Sequence, residues 1–287
     1  QYNRAMHAAP PLLVAFVSDL FFSTRIESAA RIAGFGMHLL ERADALPGLP
    51  AATAASGETL SGSTGSLLDW LSQLQPALLI FDIDSKTLPW ELWIASLKSA
   101  PATRRLPILC YGSHVDTERS ARARDVGADV VIGKGRFTQA LPQLIQKYAR
   151  TPDWHAIASG CAEAMSAAAQ SGMQLFEAGD YFAAHEALEH AWQAEAGPSR
   201  ELYRALLQIA VACLQIERGN YNGAVKMFWR ARQWLAPLPA ACRGVDTQAL
   251  RTAAEAVLAQ VQQLGAERVA EADCSSLRPS AWLQPLP

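Results

Sequence analysis

Four charged residues stand where short apolar runs end: Asp19 after 12–17, Asp82 and Asp84 around the end of 77–83, and Lys134 after 130–132. Ser18 lies beside the first acid, and Gly112 and Ser113 follow a further run, 107–111. If these runs are parallel strands, the connections at their carboxyl ends gather on one sheet edge, where open α/β sheets collect functional side chains. The chemistry expected there is that of an acidic pocket containing one lysine.

A second set lies on one predicted helix: His185, Glu186, Glu189 and His190. The zinc-protease pattern HExxH needs histidine four residues after the first, but position 189 is Glu and His190 comes one residue late. The di-iron pattern ExxH fails too, since Glu186 is followed three residues on by Glu189. At about 100° per residue, His185 and Glu189 share a face with Tyr181, Leu188 and Trp192, whereas Glu186 and His190 turn away. A carboxylate and an imidazole on an apolar face need bonded partners. The next predicted helix, 199–218, supplies a polar stripe of Glu201, Arg204, Gln208 and Gln215 at i, i+3, i+7 and i+14. The expectation is a buried polar cluster of His185, Glu189, Arg204, Gln208 and Gln215. A metal or ligand pocket that draws in Glu186 is the sharper alternative.

The elements that must position these groups follow from the hydrophobic pattern. Residues 12–150 alternate apolar runs of strand length (12–17, 37–40, 77–83, 107–111, 130–132) with amphipathic helices (25–33, 67–74, 90–98, 117–125, 139–148). Short, wholly apolar strands between helices predict a parallel sheet covered on both faces, a doubly wound α/β fold. The Ala-, Gly-, Ser- and Thr-rich stretch 43–66 reads as a loop leaving the same edge as the acidic pocket, which it could cover. From Asp153 the strand pattern stops, and helices are expected near 157–178, 181–195, 199–218, 221–236 and 247–264. Gly179-Asp180-Tyr181-x-x-Ala184 is echoed forty residues later by Gly219-Asn220-Tyr221-x-x-Ala224, the mark of repeated helical hairpins. The expected domains are 1–150, an α/β sheet domain, and 151–265, an all-α helical bundle, with 266–287 as a loose tail.

Over nearly all of 12–150, the order of strands with Asp82, Gly112 thirty residues later and Lys134 a further twenty-two on resembles the receiver domain of two-component response regulators. The resemblance implies that Asp82 is the phosphoacceptor, that Ser18-Asp19 replaces an acidic pair, and that Asp19 and Asp82 are the candidates to hold Mg²⁺, with Asp84 and Lys134 completing the pocket. Receivers carry a hydroxyl where this chain has Gly112, and a second acid where it has Ser18. The resemblance is therefore to a pseudo-receiver with weakened Mg²⁺ affinity and no hydroxyl to move with a phosphoryl group. The run from Phe176 to Trp192 (FEAGDYFAAHEALEHAW), with Gln208, Gln215 and 219–224 after it, resembles domain-of-unknown-function family 309. That implies a helical fold of bacterial origin and brings no settled activity.

Composition narrows the function classes. In 287 residues, 50% hydrophobic and 18% charged, neither disorder nor a disulfide miniprotein is expected. The net charge is −2, divided as +2 over 1–150 and −4 over 151–287, without the basic surplus of a nucleic-acid binder. No apolar stretch reaches the roughly 18–20 residues of a bilayer span. The five cysteines stand far apart without a CxxC and are expected to form neither zinc site nor disulfide. The chain opens with Gln1 and no leader pattern, so a trimmed start, no signal peptide and a cytoplasmic location are expected. The leading reading is a bacterial signalling or regulatory protein that acts through protein partners or as a homodimer, without nucleic acid or membrane. Mg²⁺ in the receiver pocket is the one cofactor considered. The rival reading is a metal- or small-ligand-dependent enzyme centred on His185, Glu186 and Glu189.

Overall fold

The computed structural model describes residues 10–47 and 62–283. The chain divides into two compact units, residues 1–151 and 152–287. In the first, β1 (Leu12–Phe16), α1 (Leu20–Ala33), β2 (Gly36–Leu40), α2 (Gly62–Leu74), β3 (Leu78–Asp82), α3 (Trp90–Ser99), β4 (Ile108–Gly112), α4 (Thr117–Asp125), β5 (Val130–Gly133) and α5 (Lys134–Tyr148) alternate strictly. The sheet runs β2-β1-β3-β4-β5 with every pair parallel. This is the flavodoxin-like doubly wound order, whose reversal point lies beside β1. β3 and β4 are buried along their whole length, which is why they carry no polar alternation. Phe16 stacks on Phe81 at 4.2 Å and Tyr111 on Phe137 at 4.1 Å, so aromatic rings fill both layers between sheet and helices.

Two helices depart from their expected limits. α2 begins at Gly62, inside the expected loop, most of which (48–61) lies outside the described residues. α5 begins at Lys134 directly after β5 and is interrupted at Ala140, two residues ahead of Pro142, whose ring disrupts the turn before it.

The second unit is helical: α6 (Trp154–Cys161), α7 (Ala167–Glu177), α8 (Tyr181–Ala194), α9 (Glu201–Glu217), α10 (Tyr221–Leu235) and α11 (Thr247–Arg268), with a small hairpin of β6 (Ala241–Cys242) and β7 (Val245–Asp246) before α11. α9 packs against both α8 and α10, and eleven of its side chains are buried. The single helix expected over 157–178 is two, because Ser166 caps the start of α7 by accepting a hydrogen bond from the Ala169 N–H. The hairpin escaped the sequence reading because each strand is only two residues long.

Two expectations are overturned. The cysteines do form a disulfide, Cys161–Cys242, joining the end of α6 to the hairpin across 81 residues of sequence. Linear spacing carries no signal for such a link, because the hairpin that presents Cys242 is itself a tertiary feature. The supposed tail is packed as far as residue 283: Val269, Leu277 and Trp282 are buried, and Ser280 bonds Glu177 through both its N–H and its hydroxyl. Its apolar residues are too irregularly spaced for a helical pattern, yet three short 3₁₀ turns bring them onto the bundle.

Candidate functional site

At the carboxyl edge of the sheet, Asp82 closes β3 and is 3% exposed, with one carboxylate oxygen accepting from the Asp84 N–H at 2.9 Å. Asp84 is the hub. It accepts from Arg119 at 2.9 Å, pairs with the Lys134 ammonium at 2.8 Å, and accepts from the Ser113 N–H at 2.9 Å. Asp19 is exposed and caps α1 with one carboxylate oxygen, Oδ1 accepting from the Phe21 and Phe22 N–H groups. Ser18 bonds Ser85 at 3.1 Å. Gly112 is tightly covered: a Cβ there would lie 2.6 Å from Cγ1 of Ile83. Ile83 thus occupies the space that a side chain on residue 112 would need.

The electrostatics follow the geometry. Burial pushes the Asp82 carboxyl above the usual range, against the opposing pull of the Asp84 N–H and the Lys134 charge. Burial acts on Asp84 in the same direction, but Lys134 and Arg119 outweigh it and hold that carboxyl below the usual range. Lys134 is raised because its bond to Asp84 outweighs its own burial. Burial, together with the charges of Asp82 and Asp19, pushes the Tyr111 phenol up. Asp82, Asp84 and Lys134 therefore meet at one edge as the spacing predicts. Arg119 joins them unannounced, since nothing in its helical context distinguishes it from Arg122 or Arg124.

In the helical unit, α8, α9 and α10 line a half-open cavity of about 350 Å³. α8 contributes His185, Glu189 and Trp192, α9 contributes Arg204 and Gln208, and α10 contributes Met227 and Arg230. Four residues of the expected cluster therefore converge, but not as a bonded network: His185 and Glu189 are half-buried and have no hydrogen-bond partner among the described residues. Gln208 is buried, and its Oε1 accepts no hydrogen bond. Gln215 lies elsewhere, accepting from Asn220 at 2.7 Å where α10 begins. Glu186 is exposed, so the trio His185, Glu186 and Glu189 is not assembled. Among the described residues, no three His, Cys, Asp or Glu side chains are grouped to hold a metal ion.

The group that sequence reasoning missed altogether is Arg243, in the turn of the hairpin. It is 4% exposed and donates to Glu163, Glu195, Ser199, Tyr203 and the Gly160 carbonyl at 2.8–3.1 Å. Burial opposes its charge, yet the bonds to Glu195 and Tyr203 raise its pKa. It also borders a second cavity of about 490 Å³, lined in part by Met173, Glu177 and Ser280.

Comparison with known proteins bears on each unit separately. Residues 169–227 match the family model "Domain of unknown function (DUF309)". The matched segment holds α8 and α9 whole and ends within α10, so of the residues named for the cavity between α8, α9 and α10 it contains all but Arg230. Among solved structures, the chain is similar to a response regulator receiver domain from Rhodospirillum rubrum, at 21% identity and TM-score 0.36, over 46% of this chain and 89% of that one. It is also similar to a signal receiver domain from Bermanella marisrubri, at 18% identity and TM-score 0.36, over 48% of this chain and 96% of that one. No curated protein matches the chain.

Proposed function

We propose that this is a signalling or regulatory protein whose sheet unit is a pseudo-receiver acting by protein contact, with the helical unit as its interaction or output module. The observation that carries the reading is the state of Asp84. Two cations of the chain's own, Lys134 and Arg119, already neutralise it at 2.8 and 2.9 Å. In a working phosphoryl site the lysine and a divalent cation serve the oxygens of the transferred group. Here the lysine is engaged, Asp19 caps a helix with one of its oxygens, and Ile83 fills the space beside Gly112. With Asp84 held by Lys134 and Arg119, and one oxygen each of Asp19 and Asp82 already bonded, the site fits poorly with Mg²⁺, which demands near-octahedral oxygen ligation, and we route no step through it.

Protein contact is supported by Leu20, Phe21 and Val115, exposed large apolar side chains in the segments leaving the carboxyl ends of β1 and β4. Exposed apolar side chains beside a polar edge fit a protein partner or a second copy of the chain better than nucleic acid. Among the described residues no helix is long and apolar enough to cross a membrane. A reducing cytoplasm would open the Cys161–Cys242 link, so the expected location and the disulfide make opposite demands. Thiol titration of protein isolated without reductant decides between them.

The test of the pseudo-receiver is incubation of the full chain with acetyl phosphate and Mg²⁺, followed by intact-mass measurement. No stoichiometric adduct is expected. An adduct that disappears in Asp82→Asn would overturn the reading.

A further inference from the structure

We propose that Cys213 and Cys274 form a redox-responsive dithiol that closes to a second disulfide by exchange with a small-molecule disulfide of the glutathione class. This goes beyond the signalling reading and does not depend on it. The two cysteines stand 61 residues apart in sequence. The fold brings them together: Cys213, in the second half of α9, is fully buried, and its S–H donates to the sulfur of Cys274, in the turns that follow α11. Burial, with both sulfurs nearby, pushes the phenol of Tyr181 at the start of α8 up to about 12. The turns are anchored on either side of Cys274. Val269 and Leu277 are buried, the turn before Cys274 packs on α9 and the turn after it on α11, and the Asp273 N–H donates to Gln260 of α11 at 3.0 Å.

The cysteines differ in access. Exchange proceeds by attack of a thiolate on a disulfide sulfur, so reach decides which thiol reacts first. Cys161 and Cys242 are already bonded to each other and both are buried, out of reach of an attacking thiolate. Cys110 lies wholly buried in β4, and burial pushes its thiol up, which leaves it inert. Of the three free cysteines, only Cys274 is half-buried and reachable from solvent, and Cys213 is the thiol it touches.

The chemistry is a two-step exchange. The Cys274 thiolate attacks one sulfur of the small disulfide, which forms a mixed disulfide and releases one small thiolate that takes up the Cys274 proton. The Cys213 sulfur then attacks Sγ of Cys274, and its proton goes to the second small thiolate as that leaves. Two protein S–H groups and one small disulfide become one protein disulfide and two small thiols, the two electrons lost by the cysteines reducing the small disulfide. The bond to Cys274 and burial both push the Cys213 thiol up, so the second step is the slower one. Closure draws the sulfurs from contact to about 2.05 Å. Cys274 supplies the movement, because it stands between two 3₁₀ turns, whereas Cys213 is held within α9. The product ties the turns that carry Leu277 and Trp282 to the central helix of the bundle. Pro279, Ser280 and Leu283 of the same stretch line the 490 Å³ cavity, so the bond braces one of its walls.

Exposure of the full chain to millimolar oxidised glutathione tests this, read by a thiol count after denaturation and by non-reducing peptide mapping. We expect the three free thiols to fall to one, that of Cys110, with the Cys213 and Cys274 peptides joined. Dilute dithiol should reopen this pair before it opens Cys161–Cys242. Cys213→Ser should stop at a stable glutathione adduct on Cys274, and Cys274→Ser should leave Cys213 unmodified. The peptide map of the parent decides the matter even where a variant does not fold. The proposal is overturned if Cys213 and Cys274 both stay free, if the parent stops at the glutathione adduct, or if Cys274 links to a second chain instead.

Discussion

At the scale of single residues, Asp82 and Asp84 are two positions apart and have opposite energetic signs. The folded-state pKa of Asp84 is depressed, so its stabilisation is present above the ordinary carboxylate range near pH 4 and is lost as pH falls through the folded value. Asp84→Asn should therefore destabilise at pH 7 by about 1–2 kcal/mol, a figure discounted for the partial exposure of Lys134 and Arg119. The deficit should shrink as denaturation is repeated toward pH 3. Asp82 has a raised folded-state pKa, so ionising it costs stability above the ordinary range, and Asp82→Asn should leave stability at pH 7 unchanged or increase it. A second contrast concerns histidines. A bonded, buried His185 would lose about 1–3 kcal/mol on mutation to Ala, but the half-buried, unbonded side chain observed predicts a change within about 0.5 kcal/mol, the same as for exposed His190. Urea denaturation of both variants checks this. The face of the helix was legible from its period. Whether the groups on that face bond each other depended on the separation of α8 from α9 and α10, which no local pattern encodes.

At the scale of elements, the forty-residue echo has a physical meaning. Gly179 and Gly219 take φ of +84° and +69°, ending α7 and α9 in the left-handed conformation that glycine adopts without penalty. The next residue then caps the following helix: Asp180 accepts from the Ala183 N–H and Asn220 from the Gly223 N–H, both at 3.0 Å. Asp180→Ala and Asn220→Ala should each cost about 1 kcal/mol, measured by chemical denaturation. Gly112 is the opposite kind of glycine, needed for space and not for its backbone angle. Gly112→Ser, which would restore a hydroxyl at the receiver position, should destabilise by about 1–3 kcal/mol by forcing Ile83 aside. It should not restore phosphorylation, because Asp84 and Lys134 remain paired.

At the scale of the whole molecule, the two compact units and the disulfide within the second make a separable prediction. Cleavage between Tyr148 and Trp154 should yield two fragments that each melt cooperatively. Reductant should destabilise only the helical fragment, by about 4 kcal/mol if loop entropy sets the scale for an 81-residue closure. By itself the sequence determined the alternation of strand and helix, the convergence of Asp82, Asp84 and Lys134, and the apolar face of α8. These rest on backbone period and on chain direction, both local properties that repeat along the chain. Tertiary structure alone decided that Arg119 joins Asp84, that Arg243 gathers groups from Gly160 to Tyr203, that Cys161 meets Cys242, and that the last turns pack down. Each of these is a meeting of residues about 35 or more apart, fixed by how elements pack and carrying no mark in the spacing of either partner.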